Sequence, residues 1–263
     1  MNRRTFLKSI LFAGGASLAG GSAYALHSVD LEISRQRVPV KGIKQKMRIV
    51  ALSDLHDPCY YLSTSDLVRS INAEKPDVLI LAGDMFGTRD FESLITGFSA
   101  ANAGYAKLAA LGNWEYQLHL NQAGLRKCYH KAGIKLLVND DIEVFGLKIL
   151  GLDDFLQGSP DFKLCDDTPS PVLVISHCPG SFDRLPSSAR SQKIVISGHT
   201  HGGQIAPFGR ALVTPPGSGS YVKGWYRKDN NFMYVMRGVG ASYLPLRIGA
   251  RPELLVLDLI PAC

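Results

Sequence analysis

The sequence predicts an α/β protein, one domain of two packed sheets flanked by helices. Three patterns predict that class. Continuous Leu, Ile and Val runs of strand length recur, as strands buried on both faces require. Helix-length segments with an apolar face lie between some of them. Segments with a two-residue period, broken at glycine, mark hairpins. At 263 residues the chain can bury such a core without disulfide or metal staples.

Taken in order, strands are expected at 47–52, 77–82, 106–111, 172–176 and 193–197, each ending in polar residues. A helix over 64–74 aligns Leu67, Val68 and Ile71 on one face, and a second over 120–132 closes at Gly133, a natural left-handed stop. The alternating stretch 142–150 turns at Gly146, 232–237 precedes Gly238, and 253–259 closes the chain. No repeat or composition break divides residues 26–263, so they read as a single domain.

The polar strand ends carry the functional signal, because ligands of open α/β sheets gather beyond the carboxyl ends of strands. Five ends present Asp54 with His56, Asp84, Asn113, His177, and His199 with His201. One such residue alone is a turn or cap. Five in sequence exceed turn chemistry, and four of the chain's seven histidines sit there. Imidazole mixed with carboxylate suits a transition metal, whereas magnesium and calcium take chiefly oxygen. Seven donors exceed one tetrahedral ion, so two ions sharing a carboxylate is the economical arrangement.

Asp54-x-His56, Gly83-Asp84, Gly112-Asn113, His177 and Gly198-His199-Thr200-His201 resemble the five-block signature of the calcineurin-like metallophosphoesterases. Gly-His-Thr-His-Gly-Gly-Gln and Arg237-Gly238-Val239-Gly240 are similar to a bacterial branch of that superfamily. The branch includes twin-arginine-exported phosphodiesterases and UDP-2,3-diacylglucosamine pyrophosphatases of lipid A synthesis. The resemblance implies a four-layer α/β/β/α sandwich and two divalent ions, manganese first, with iron or zinc as alternatives. Asp54, His56, Asp84 and His201 would hold one ion; Asp84, Asn113, His177 and His199 would hold the other, with Asp84 bridging. It further implies hydrolysis of phosphoesters or phosphoanhydrides by a hydroxide between the ions, with Asn113, Trp114 and His199 as candidate catalytic residues. Paired divalent ions suit that chemistry, since they clamp both attacking and leaving oxygens of an in-line displacement.

The third block departs from the family. Gly112-Asn113-Trp114-Glu115 has Trp where the family usually carries a His that serves the leaving oxygen. Indole has an N–H donor but no titratable proton. A general acid contributes about 10²–10⁴-fold, most where an alkoxide departs. The expectation is a preference for phosphoanhydrides or aryl-type esters, unless Trp114 only packs over the site and another residue such as His119 donates the proton. A non-catalytic metal-binding envelope protein is the rival from another class. The pathway pyrophosphatase is the rival among enzymes.

Residues 1–25 read as a twin-arginine-type signal peptide or anchor: Arg3-Arg4-Thr5-Phe6-Leu7-Lys8, an uncharged stretch over 9–25, and Ala23-Tyr24-Ala25 for cleavage. The expected location is therefore the periplasm or cell envelope, or an N-terminal membrane attachment. The chain carries 29 basic and 23 acidic side chains, but Arg3, Arg4 and Lys8 belong to the signal, leaving 26 against 23. That balance, with no basic tract interleaved with aromatics, gives no expectation of nucleic acid. The expected partners are a phosphorylated small molecule or nucleotide-linked lipid, and a membrane surface. The five cysteines are scattered and predict no disulfide framework. Weaker candidates are Gly202-Gly203-Gln204 as an anion turn, Asp153-Asp154 as a branch loop, and Arg237, Arg247 and Arg251 as phosphate grips. Tyr221, Trp225, Tyr226 and Tyr243 with Leu244 and Leu246 could form an apolar lip, with core packing the alternative.

Overall fold

Residues 30–59, 61–166, 170–186 and 191–262 are described by a computed structural model. The signal expected at 1–25 and Cys263 lie outside the described residues. Two six-stranded sheets face each other. The first contains β1 (Glu32–Lys41), β2 (Met47–Leu52), β3 (Val78–Ala82), β4 (Ala106–Ala110), β5 (Lys135–Leu136) and β12 (Glu253–Ala262), in the order β1-β12-β2-β3-β4-β5. The second contains β6 (Asp140–Val144), β7 (Leu147–Gly151), β8 (Val172–Ile175), β9 (Lys193–Ser197), β10 (Gly224–Lys228) and β11 (Asn231–Val235), in the order β10-β11-β9-β8-β7-β6. The centre of each sheet is parallel: β2, β3 and β4 in one, β7, β8, β9 and β11 in the other.

Parallel strands covered on both faces explain the unbroken apolar runs. Inward residues Ile49, Ala51, Ile80 and Leu108 meet Ile149, Leu173, Ile175 and Ile194 between the sheets. Outward residues Val50, Leu79, Leu81 and Ala109 lie under helices α1 (Thr64–Glu74), α2 (Glu92–Gly97) and α4 (Gln122–Lys131), which contribute Leu67, Ile71, Ile95 and Leu125. Ser63 caps α1, accepting from the Asp66 amide at 3.1 Å, and Lys75 ends it in a left-handed conformation before Pro76.

The fourth layer of the expected sandwich is made of short helical segments. Among the described residues, the outer face of the second sheet is covered by 3₁₀ segments, Phe162–Cys165 and Pro179–Arg184, with Cys165 and Phe182 packed on Leu150, Val174 and Val195. Pro179 opens one segment and Pro186 follows it, which leaves no room for a longer helix. Strand β1 is also absent from the sequence reading. It is an edge strand with alternating burial and Pro39 inside it, so no continuous apolar run announces it. The described cysteines Cys59, Cys128, Cys165 and Cys178 are free thiols. No helix of the described residues is long and apolar enough to cross a membrane.

Candidate dinuclear metal centre

The carboxyl ends of β2, β3 and β4 meet those of β8 and β9 across the gap between the sheets. Strands β5, β6 and β7 intervene in the chain, so the five polar ends are not successive strands as expected. All seven predicted ligands are buried there: Asp54, His56, Asp84, Asn113, His177, His199 and His201. Five of them, Asp54, His56, Asp84, His199 and His201, have positive φ between 48° and 71°. This left-handed backbone costs non-glycine residues on the order of 1–3 kcal/mol each and persists only where surroundings over-determine it. Here the strand-end loops hold one another: Asp54 N donates to Gly83 O at 3.0 Å, His56 N to Asp84 O at 3.1 Å, and Gly240 N to Asp54 O at 2.7 Å. The Asp54 carboxylate accepts the His199 amide at 2.9 Å and the Ser53 hydroxyl at 2.5 Å.

Two triads of donor atoms form, Asp54–His56–His201 and Asp84–His177–His199. In the first, His56 Nε2 and His201 Nε2 face each other at 3.1 Å. Two nitrogens on one tetrahedral ion at ~2.0 Å would be roughly 3.3 Å apart. Asp84 Oδ2 lies between the triads, 3.1 Å from His177 Nε2 and 3.8 Å from His56 Nε2. Asp54 Oδ1 is similarly shared, 3.5 Å from His201 Nε2 and 3.8 Å from His177 Nε2.

The ring tautomers point the right nitrogens inward. His177 Nδ1–H donates to Ala82 O at 2.9 Å, and His199 Nε2–H to Pro216 O at 2.7 Å, which leaves His177 Nε2 and His199 Nδ1 as lone-pair donors. The short approach of His177 Nε2 to Asp84 is not aligned as a hydrogen bond, and that nitrogen and Asn113 Oδ1 are both buried without partners. Orphaned buried polar atoms converging with two carboxylates fit divalent cations. The electrostatics agree. Burial lowers the pKa of His56 and His199 and pushes that of His201 down to about 3, so these rings are neutral, as ligands must be. Burial acts the same way on His177, but Asp84 and Asp54 outweigh it and raise its pKa well above the ordinary value. The two carboxylates demand positive charge in this hole.

Sequence reasoning missed Glu115 as a site residue. Its buried carboxylate accepts the amides of Gly112 at 2.8 Å, Met85 at 2.9 Å and Asp84 at 3.1 Å, tying the end of β4 to the end of β3. A carboxylate two residues after a ligand on the short helix α3 (Asn113–Gln117) was the available signal. Glu115→Ala should cost about 2–4 kcal/mol by stranding these donors and weaken metal binding ~10–100-fold. Thermal melts with and without chelator, alongside metal titration, measure both effects.

The weaker candidates mostly take structural roles, several of them the alternative already open to them. Arg247 is no phosphate grip: it is wholly buried and donates to the carbonyls of Gly238, Ala250, His201 and Arg237, latching the loop that carries His201. Arg237 is tied to Glu253 and Glu32, and Arg251 to Glu32. Asp153 and Asp154 are loop caps, accepting from Ser159 N and from Leu156 and Gln157 N. Tyr221 and Tyr226 pack against the outer core of the second sheet. Of the expected anion turn, the Gln204 amide is spent on Ser242 and Leu244 carbonyls. His119 is exposed and lines a separate cavity with Leu111 and Leu125. Trp114 does reach the centre. Its ring meets His56 edge-on at 4.6 Å, its amide donates to Asp84 Oδ1 at 2.8 Å, and its far side contacts Tyr243 at 5.6 Å.

The sequence profile of the calcineurin-like phosphoesterase family matches residues 47–203, the span that carries every ligand named above. The chain belongs to that family. A metallophosphoesterase of Bacillus subtilis (strain 168), YkuE, is 31% identical over 98% of this chain and 98% of its own. A metallophosphoesterase of Campylobacter jejuni is 29% identical over 87% of this chain and 63% of its own length. A protein of Danio rerio named transmembrane protein with metallophosphoesterase domain is 26% identical, covering 86% of this chain and 55% of that one. The double sheet matches the sandwich of calcineurin-like phosphoesterases, and the two triads are their candidate divalent-metal residues.

Proposed function

We propose that the protein is a metal-dependent hydrolase of phosphate esters or anhydrides, with a preference for good leaving groups. The observation that carries the reading is the pair of buried donor triads with Asp84 between them. By this reading Asp54, His56, Asp84 and His201 hold one ion and Asp84, Asn113, His177 and His199 the other, with manganese the first expectation. Two divalent ions supply Lewis acidity toward phosphoryl oxygens and activation of water at neutral pH. The chain's own residues do the positioning. Asn113 offers a neutral oxygen, which adds no negative charge where an anionic substrate docks. Ala82 and Pro216 carbonyls fix the His177 and His199 rings. Trp114 covers one side of His56 and brings no titratable proton to the leaving oxygen. Phosphate and phenolate depart as stable anions and tolerate that lack, whereas alkoxides do not. The Arg3-Arg4 motif supports export or membrane attachment as the setting, and the Danio rerio relative's name accords with a membrane setting.

A leaving-group series on metal-loaded protein tests the proposal. Pyrophosphates and aryl esters should exceed alkyl diesters in kcat/KM, and Trp114→His should raise alkyl-diester turnover at least ~10-fold with little change for pyrophosphates. Equal turnover of alkyl diesters and pyrophosphates by the native protein would remove the leaving-group preference.

A further inference from the structure

We propose that the metal-centre end of the molecule is a docking face for an anionic phospholipid bilayer. Two loops beside the centre form it. Residues 204–214 hold Phe208, 96% exposed, with Leu212 and Val213; residues 242–246 hold Tyr243, 86% exposed, with Leu244. Five of the eight large exposed hydrophobic side chains among the described residues thus stand on two neighbouring loops, a clustering that scattered surface residues do not show. Phe208 sits at φ 54° in the turn Pro207–Gly209, so an unfavourable backbone conformation is kept while its ring faces solvent.

The loops are laced into one surface. Gln204 donates to Ser242 O at 3.1 Å and Leu244 O at 3.0 Å and accepts the Ser242 amide at 3.0 Å. Ala206 N donates to Ile248 O at 2.7 Å and Leu212 N to Ile205 O at 3.3 Å. The rim is continuous with the centre, since Tyr243 contacts Trp114 and Trp114 contacts His56.

Charge and topology select the occupant. No carboxylate occurs between Asp183 and Asp229, or between Asp229 and Glu253, and the charged residues of 202–226 are Arg210 and Lys223. On these two loops the apolar tips carry no acid, Arg210 follows Phe208 by two residues and Lys223 Nζ lies beside Gly209. Asp57 and Asp90 belong instead to the adjoining loops after β2 and β3. Apolar tips flanked by cations are the composition that seats proteins in an anionic interface. Strand register supplies the orientation. Glu32 of β1 pairs in parallel with Glu253 of β12, and Leu255 of β12 pairs antiparallel with Ala51 near the end of β2. The chain therefore enters β1 at the metal-centre end. The uncharged stretch 9–25 precedes that entry, so its attachment to a bilayer would keep this face, not the opposite one, toward lipid. If the hydrolytic reading holds, substrates presented at the bilayer surface are favoured; the docking face itself needs no metal.

The test is Phe208→Trp in the full chain, in chelator, with vesicles of phosphatidylcholine and phosphatidylglycerol carrying brominated acyl chains. Relative to the parent's Trp114 and Trp225, the added indole should shift to the blue and lose at least about half its emission. Adding Arg210→Glu and Lys223→Glu should weaken partitioning at least about tenfold. No added quenching while the chain still floats with vesicles would overturn the orientation. Equal quenching on purely zwitterionic vesicles would overturn the anionic surface. A lipid-independent blue shift that grows with protein concentration would assign the face to a second copy of the chain. Because chelator is present throughout, none of these outcomes depends on hydrolysis.

Discussion

Asp84→Asn should strip the protein of metal-dependent stability and nearly all hydrolysis while leaving the metal-free fold intact. Asp84 Oδ2 faces both triads, 3.1 Å from His177 Nε2 and 3.8 Å from His56 Nε2, and makes the closer of the two carboxylate approaches to His177. Its other oxygen accepts the Trp114 amide at 2.8 Å, and the asparagine carbonyl can keep that bond. The substitution therefore removes charge from between the two candidate cation sites without unfastening the loop. Even outer-shell changes cost ~10–100-fold in affinity or activity, so loss of the shared ligand should exceed that range. The native protein should gain roughly 2.7 kcal/mol per ion at a free metal concentration one hundred times Kd, or about 5–10 °C in Tm for a domain of this size. The variant should show little of that gain, and its Tm in chelator should match the native protein's. Metal analysis, melts and turnover read these effects together. Two retained ions with activity within tenfold of native would contradict the role given to Asp84.

The sequence exposed the site residues better than their setting, for a physical reason. Strands β2, β3, β8 and β9 are covered on both faces, so each is a largely apolar run and the polar residues just beyond it stand out. That made Asp54, Asp84 and His177 readable without coordinates. The left-handed backbone at Asp54, His56, Asp84, His199 and His201 left no such trace, because it is imposed by neighbouring loops rather than by the residues themselves. Glu115 looked like an ordinary helix acid, since its three partners come from two loops that only the fold brings together. The arginines erred in the opposite direction. Arg247 read as a substrate contact because arginine is so often exposed, yet it is buried among backbone carbonyls contributed by residues 201 to 250. Edge strand β1 stayed hidden because half-exposed strands mix polar and apolar residues.

Gly112→Ala should damage the centre nearly as severely as loss of a ligand, although it adds one methyl and touches no ligand chemistry. Gly112 has φ −113°, which any residue adopts, so the constraint is space and not conformation. A Cβ there would collide with Asp84 Oδ1 and stand 2.7 Å from Asp84 N and 2.9 Å from His177 Cδ2. None of these neighbours can yield cheaply. The Asp84 amide is held by Glu115 at 3.1 Å, and the His177 ring by the Ala82 carbonyl at 2.9 Å. Relief comes only by moving Asp84 and His177, two of the three ligands of the second triad, at an overpacking cost of about 1–3 kcal/mol. Metal affinity should fall by at least ~100-fold, beyond the usual outer-shell loss. The same substitution at Gly124, in the first turn of α4, is the control. Its nearest neighbour is 3.7 Å away, so alanine fits and should stabilise the helix by ~0.5–1 kcal/mol with metal binding unchanged. Opposite signs at the two glycines, read by metal titration and denaturant melts, would show that close approach of the β4 loop to Asp84 and His177 sets the spacing of the second triad; equal, mild effects would show that the strand ends are loose enough to absorb a methyl group.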